Sequence, residues 1–173
     1  MIRKIIIYIV HFLFLVVLQV FVLNNIHLFE IVHPYIYIYF ILLLPVSIPK
    51  TSLIILAFLL GLVIDVFSNT YGIHAAASTL VGFLRPLLVG QFVSDSDPDA
   101  IIEPHIRGFG VRPYIIYSLT MISIHHLALY MLEIFSFRDF GFTLLKILLT
   151  ILISIVFVLI YELLFFLKSS DEQ

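Results

Sequence analysis

The sequence has no cysteine and few charged residues. Without cysteine the chain has no disulfide, thiolate metal site or cysteine nucleophile. Only 12% of its 173 residues are charged, against about 25% in a soluble domain, while 62% are hydrophobic and the mean hydropathy is +1.20. So few charges cannot cover a globule with polar surface. The composition therefore predicts a polytopic membrane protein.

Sequence motifs of several enzyme classes are also missing. The seven histidines include no pair spaced three or four residues apart, which excludes a helical metal pair of the HExxH kind. Asp65 is the only aspartate inside a predicted span, so an intramembrane aspartyl protease would lack its second carboxylate. There is no GxxxxGK[ST] loop for a nucleotide and no dense Lys/Arg cluster for nucleic acid. We therefore expect no enzyme activity, no cofactor and no metal.

Six apolar stretches are predicted to be transmembrane helices, because about 20 apolar residues cross roughly 30 Å of hydrocarbon. The first lacks a small-residue cleavage site after it, which favours a retained helix over a signal peptide. The second contains YIYIYF, an alternation typical of strands, but lipid excludes an open strand edge and so favours a helix bent near Pro45. The six stretches are about 5–23, 34–48, 52–68, 72–90, 114–135 and 142–167.

The connections and the positive charges predict the topology. Three residues, 69–71, join the third and fourth spans into a tight hairpin, and the longest connection is a linker at 91–113. With the N-terminus inside, the outer loops carry only Arg138, which satisfies the positive-inside rule. The inner segments then hold Arg3, Lys4, Lys50, Arg107, Arg112 and Lys168. The predicted fold is a single all-α domain, a six-helix membrane bundle with both termini in the cytoplasm.

A polar cluster marks the end of the third span, in the stretch GLVIDVFSNTYGIHAAAS. Its members are Asp65, Ser68, Asn69, Gly72 and His74. One interpretation is a proton or ligand site, since carboxylates inside membranes commonly have a function. The other, which we favour, is that Asp65 binds Ser68, Asn69 and the free amides that begin the fourth helix, and so locks the hairpin.

A stripe of small residues runs along the fourth span at spacings of three and four. Its members are Gly72, Ala75, Thr79 and Gly82. Small residues let membrane helices approach closely. The stripe therefore predicts a close helix contact, either inside the chain or with another protein.

The fifth span carries His126, Tyr130 and Glu133 on one face, while His125 lies about 100° away around the helix. A His–Glu pair could relay protons. The same side chains could instead donate interhelical hydrogen bonds within the bundle or to a partner. We favour the packing interpretation.

Three arginines lie near the predicted cytoplasmic side: Arg85, Arg107 and Arg112. Arg85 is near the inner end of the fourth span and is expected to extend its guanidinium to the interface. Arg107 and Arg112 would be attracted to an anionic inner leaflet. The linker that holds them could equally bind a cytoplasmic partner or be a solvated connector.

Several stretches together resemble the rod shape-determining protein MreD family, in particular its Bacteroidetes-like members. They are LQVFVLNNI, YIYIYFILLLP, FLLGLVIDVFSNTYGIHAAAS and IHHLALYMLEIFSF. The third matches the family's glycine, aspartate and downstream glycine pattern at Gly61, Asp65 and Gly72. This ordered set of polar interruptions is harder to match by chance than the apolar background.

The resemblance implies a non-enzymatic scaffold in the bacterial inner membrane that helps organise lateral peptidoglycan synthesis and cell shape. The expected partners are MreC directly, and MreB, RodA and penicillin-binding protein 2 within the cell-elongation complex. The family's fold is similar to that of the substrate-binding subunits of energy-coupling-factor transporters. This similarity supplies an alternative function, a small-molecule carrier docked on a transporter. However, such carriers dock through alanines on the first helix, and residues 5–23 contain neither alanine nor glycine.

Overall fold

The structure, a computed structural model, describes residues 2–26, 32–92, 104–134 and 140–167. The elements in these ranges are helical. They are α1 (Ile2–Val17), α2 (Tyr39–Leu43), α3 (Lys50–Ser68), α4 (Ile73–Val89), α5 (Ile106–Phe109), α6 (Val111–Ile134) and α7 (Phe140–Glu162). Helix α1 continues through a π-helical turn and a 3-10 turn to Asn25, and α7 continues through a π-helical turn, Leu163–Leu167.

Four helices in the described part of the chain are long and apolar enough to cross a membrane. They are Ile2–Asn25, Lys50–Ser68, Val111–Ile134 and Phe140–Phe165. The fourth predicted span is present as the apolar helix α4, but at 17 residues it is shorter than these four. The described part of the chain is thus all-helical and has the helices of a membrane protein, and the six spans predicted from the sequence are not confirmed.

The predicted second span, 34–48, is the clearest error. Only Tyr39–Leu43 is an α-helix, and the amides of Ile36 and Tyr37, which precede it, donate to the side-chain oxygen of Gln19. Proline disfavours helix in the residue before it, and Leu44, directly before Pro45, is accordingly non-helical with ψ 143°. The segment from Ile36 to Leu44 is buried, so protein groups rather than lipid surround this irregular backbone.

Helices α3 and α4 form the tight hairpin expected from their short connection and pack closely along their length. Asn69 ends α3 in the left-handed conformation, with φ 54°, and Gly72 precedes α4 with φ 86°. Helix α4 packs on α6, which packs on α7. The buried segment before α2 lies inside this arrangement, so it can contact several helices at once.

Part of the predicted linker is also structured. Helix α5 lies within the predicted linker 91–113, and α6 begins at Val111 rather than at residue 114. The acidic half of the linker, residues 93–103, lies outside the described residues.

Candidate functional site

The Asp65 carboxylate caps the start of α4. The side chain is 2% exposed, and its Oδ2 accepts the backbone N–H of Ala75 at 2.8 Å. Its Oδ1 accepts the N–H of His74 at 3.1 Å and the hydroxyl of Thr70 at 2.6 Å. A carboxylate placed on free amides at a helix N-terminus satisfies them and interacts favourably with the helix dipole. The contact with the α4 amides is the one that the hairpin-lock interpretation requires.

The other members of the predicted polar cluster have different roles. The Ser68 hydroxyl accepts a hydrogen bond from the Asn24 side-chain amide at 3.0 Å, which joins the end of α1 to the end of α3. Asn69 and Gly72 supply the left-handed backbone of the turn. Neither Ser68 nor Asn69 is among the donors to the Asp65 carboxylate, so Thr70 takes the place expected for them.

The small-residue stripe on α4 packs against α3 at two of its four members. Ala75 lies opposite Gly61 of α3. A Cβ added to Gly61 would be 2.4 Å from the His74 carbonyl oxygen and 2.5 Å from the Ala75 Cα. An added Cβ on Gly82 would lie 2.8 Å from the Ala57 Cβ. The stripe's other two members do not take part in this way. The Thr79 hydroxyl donates within its own helix to Ala75, and a Cβ on Gly72 would meet nothing within 4 Å.

The complementary surface on α3 was missed in the sequence. Ala57, Gly61 and Asp65 recur at a spacing of four, which places them on one face of α3. All three are buried. The repeat of two small residues followed by the carboxylate would have identified this face.

A chain of hydrogen bonds runs through the buried centre of the protein. The Tyr37 hydroxyl lies 2.8 Å from His74 Nδ1 and 2.7 Å from His125 Nε2. His125 Nδ1 lies 3.2 Å from His126 Nδ1, and His126 Nε2 lies 2.9 Å from the Ser154 hydroxyl. These contacts join α4, the segment before α2, α6 and α7. We call this set the histidine chain; its members are His74, Tyr37, His125, His126 and Ser154.

The geometry of the histidine chain accommodates two proton arrangements. A neutral imidazole has one N–H donor and one acceptor nitrogen. If His74 Nδ1–H donates to Tyr37, every later bond can point the same way and end with His126 donating to Ser154. If Ser154 donates to His126 instead, every bond reverses and the chain ends with Tyr37 donating to His74. Each of these four contacts can therefore be a hydrogen bond with all three histidines neutral, in either proton order.

The predicted face of His126, Tyr130 and Glu133 is only partly formed. His126 and Tyr130 are buried, and the Tyr130 hydroxyl lies 3.1 Å from the Thr150 hydroxyl on α7. Glu133 is exposed, so the face contains no buried His–Glu pair. His125, which the helical geometry placed away from this face, is the residue bonded to both Tyr37 and His126.

Glu162 forms a second buried carboxylate site that the sequence analysis missed. It accepts the N–H of Ile106 at 2.9 Å and the hydroxyls of Tyr39 and, at 3.2 Å, Tyr114. His105 Nδ1 lies 3.4 Å from the same carboxylate. Glu162 thereby joins α7 to the start of α5, to α2 and to α6. It is the only charged residue between Lys146 and Lys168, a feature that could have singled it out.

Arg85 is buried rather than extended to the interface as predicted. The side chain is 1% exposed, and Nε donates to the Tyr117 hydroxyl at 2.8 Å. Nη2 donates to the carbonyl oxygens of Leu42, at 3.3 Å, and of Leu44. The guanidinium binds these carbonyls because the end of α2 leaves them without helical partners. Arg107 and Arg112 are exposed, as a surface position requires.

The described residues include no group of three or more histidine, aspartate or glutamate side chains arranged to hold a metal ion. Asp65, Arg85, Glu162 and the histidine chain instead connect one element of the bundle to another. No protein-family model, curated protein or solved structure matches the chain.

Proposed function

We propose that this protein is a non-enzymatic scaffold subunit of the bacterial cell-elongation complex, similar to MreD, in the inner membrane. The observation that carries the proposal is the ordered set of polar interruptions in GLVIDVFSNTYGIHAAAS, which resembles the MreD pattern at Gly61, Asp65 and Gly72. Four helices able to cross a membrane are consistent with a multi-pass subunit.

The contacts of these residues support a scaffold role over a catalytic one. Gly61 permits the close approach of α3 and α4, and Asp65 uses both carboxylate oxygens to bind the start of α4. A carboxylate that already accepts several donors is stabilised where it is and has little capacity left for a substrate. The residues that carry the resemblance therefore serve to hold one arrangement of helices, which suits a protein that presents surfaces to partners.

We propose MreC as the direct partner, on the outer side and within the membrane, with MreB, RodA and penicillin-binding protein 2 in the same complex. A carrier subunit of an energy-coupling-factor transporter is the alternative. Docking of the alanine-dependent kind needs small residues on the first helix. The exposed face of α1 instead carries bulky side chains such as Ile5, Ile9 and Leu13, which disfavours the carrier.

The test is a gentle purification of the tagged protein from its native membranes, with identification of the bound proteins by mass spectrometry. We expect MreC together with the cell-wall synthases. An unrelated tagged multi-pass protein from the same membranes is the control for non-specific recovery. Recovery of a paired ATPase and a coupling subunit, without MreC, would contradict the scaffold and establish the transporter alternative.

A further inference from the structure

We propose that a pocket beside Arg85 and Lys50 binds the phosphate group of a membrane phospholipid. The pocket lies between the turn that precedes α3, the first turn of α3 and the last turn of α4. Its volume is about 310 Å³. The residues that line it include Val46, Ile48, Lys50, Leu53, Arg85 and Val89.

The first feature that favours an anion is the charge of Arg85. Its guanidinium is buried, and the acceptors that it contacts are neutral: the Tyr117 hydroxyl and the backbone carbonyls of Leu42, Leu44 and Pro45. Within the described ranges, no aspartate or glutamate lies within ion-pair distance of it. A buried charge is costly unless it is paired. The contact from Nη1 to the Pro45 carbonyl is long, at 3.5 Å, so this nitrogen keeps capacity for a stronger acceptor.

The second feature is the start of α3. Lys50 is the first residue of this helix, and Pro49 before it provides no side-chain cap. The first helical hydrogen bond of α3 runs from the Leu53 amide to the Pro49 carbonyl. The amides of residues 50–52 therefore have no helical acceptor. Free amides and the dipole of a 19-residue helix favour an anion at this end. The Lys50 side chain is exposed and adds a positive charge on the same wall.

The position and the other walls favour a lipid as the source of the phosphate. Lys50 begins one candidate membrane span, so the pocket lies at the level where lipid headgroups meet the hydrocarbon. Basic pockets between membrane helices bind anionic headgroups in this way. Val46, Ile48, Leu53 and Val89 supply apolar walls that can contact the glycerol and ester region. This inference is separate from the scaffold proposal and does not depend on MreC.

The test is a titration of the full chain in detergent with phosphatidylglycerol, followed by native mass spectrometry. We expect one phosphatidylglycerol to bind in preference to phosphatidylcholine. Removal of one positive charge with Lys50→Gln should weaken this binding about fivefold, since a basic residue near an anionic lipid contributes about 1 kcal/mol. Val46→Trp should weaken it at least as much, because it fills the pocket without changing the charge. Both variants must keep the thermal midpoint of the parent protein.

Arg112→Gln is the matched control, because Arg112 is an exposed cation at the start of α6 that does not line the pocket. It should leave phosphatidylglycerol binding unchanged. Equal losses in Lys50→Gln and Arg112→Gln would overturn the proposal and indicate diffuse attraction to the whole surface. Binding that survives both pocket variants would also overturn it. A titration with inorganic phosphate alone distinguishes a soluble anion from a lipid. If phosphate raises the thermal midpoint, Lys50→Gln abolishes this effect and no phosphatidylglycerol binds, the ligand is a soluble anion and the lipid is rejected.

Discussion

The Tyr37 hydroxyl lies 2.7 Å from His125 Nε2, which connects the buried segment before α2 to the middle of α6. The same hydroxyl lies 2.8 Å from His74 Nδ1 at the start of α4. One oxygen atom therefore joins two helices to a segment that has little helix of its own. Irregular backbone is tolerated at membrane depth where it is buried in protein, and residues 36–44 are buried.

Replacement of Tyr37 by phenylalanine is expected to lower stability by about 1–3 kcal/mol, because it leaves the facing nitrogens of His74 and His125 buried without their partner. The measurement is the thermal midpoint of the purified protein in detergent. Tyr71→Phe is the control, since Tyr71 is 97% exposed and its hydroxyl is not in the histidine chain. Equal midpoints for the two variants would show that the histidine chain does not stabilise the fold.

Replacement of Gly61 by alanine is expected to destabilise the hairpin. The added Cβ would overlap the backbone of His74 and Ala75, so α3 and α4 would have to separate. Overpacking of this kind costs about 1–3 kcal/mol. Gly141→Ala is the control, because a Cβ there meets nothing within 4 Å. The thermal midpoint should fall for Gly61→Ala and stay unchanged or rise slightly for Gly141→Ala.

A second pair on the same interface tests whether the effect is steric. Gly82→Ala should also lower the midpoint, because its Cβ would meet the Ala57 Cβ at 2.8 Å. Adding Ala57→Gly removes that methyl group and should recover part of the loss. If the double variant is destabilised by as much as the sum of the two single variants, or by more, the two positions do not share the close contact.

The sequence predicted local contacts better than distant ones. Asp65 and the amides it binds are at most ten residues apart and share one short turn, so helix-capping rules were sufficient. Tyr37 is 37 residues from His74 and 88 from His125. Hydropathy reports only that each of these segments is apolar. It does not report which face of one segment meets another, so the histidine chain could not be predicted.

The error at Arg85 follows from the error at residues 34–48. A continuous helix there would satisfy the carbonyls of Leu42 and Leu44 internally and leave the arginine no reason to turn inward. Because the helix ends at Leu43, those carbonyls need donors and the guanidinium supplies them. The wrong helix prediction at 34–48 thus concealed the carbonyl groups that bind Arg85, a residue on another helix.

Replacement of Asp65 by alanine is expected to cost about 0.5–2 kcal/mol, the range for loss of a helix cap, because the amides of His74 and Ala75 lose their acceptor. Asp65→Asn should fall between the parent and the alanine variant, since one amide oxygen remains but the charge is lost. Thermal midpoint and recovery of bound partners are the measurements. Glu133→Ala removes an exposed carboxylate and should change neither. Unchanged stability and unchanged partner recovery for Asp65→Ala would reject the hairpin lock.

Replacement of Glu162 by glutamine is expected to loosen the segment that begins at α5. The carboxylate accepts the Ile106 amide, and an amide group in its place presents a donor where donors already converge. Trypsin can cleave after Arg107, an exposed residue in α5, once this segment opens. Cleavage at Arg107 should become several-fold faster in Glu162→Gln and stay unchanged in Glu133→Gln. Equal rates in the parent and both variants would mean that Glu162 does not hold α5 on the bundle, whereas faster cleavage at every site would indicate global unfolding instead.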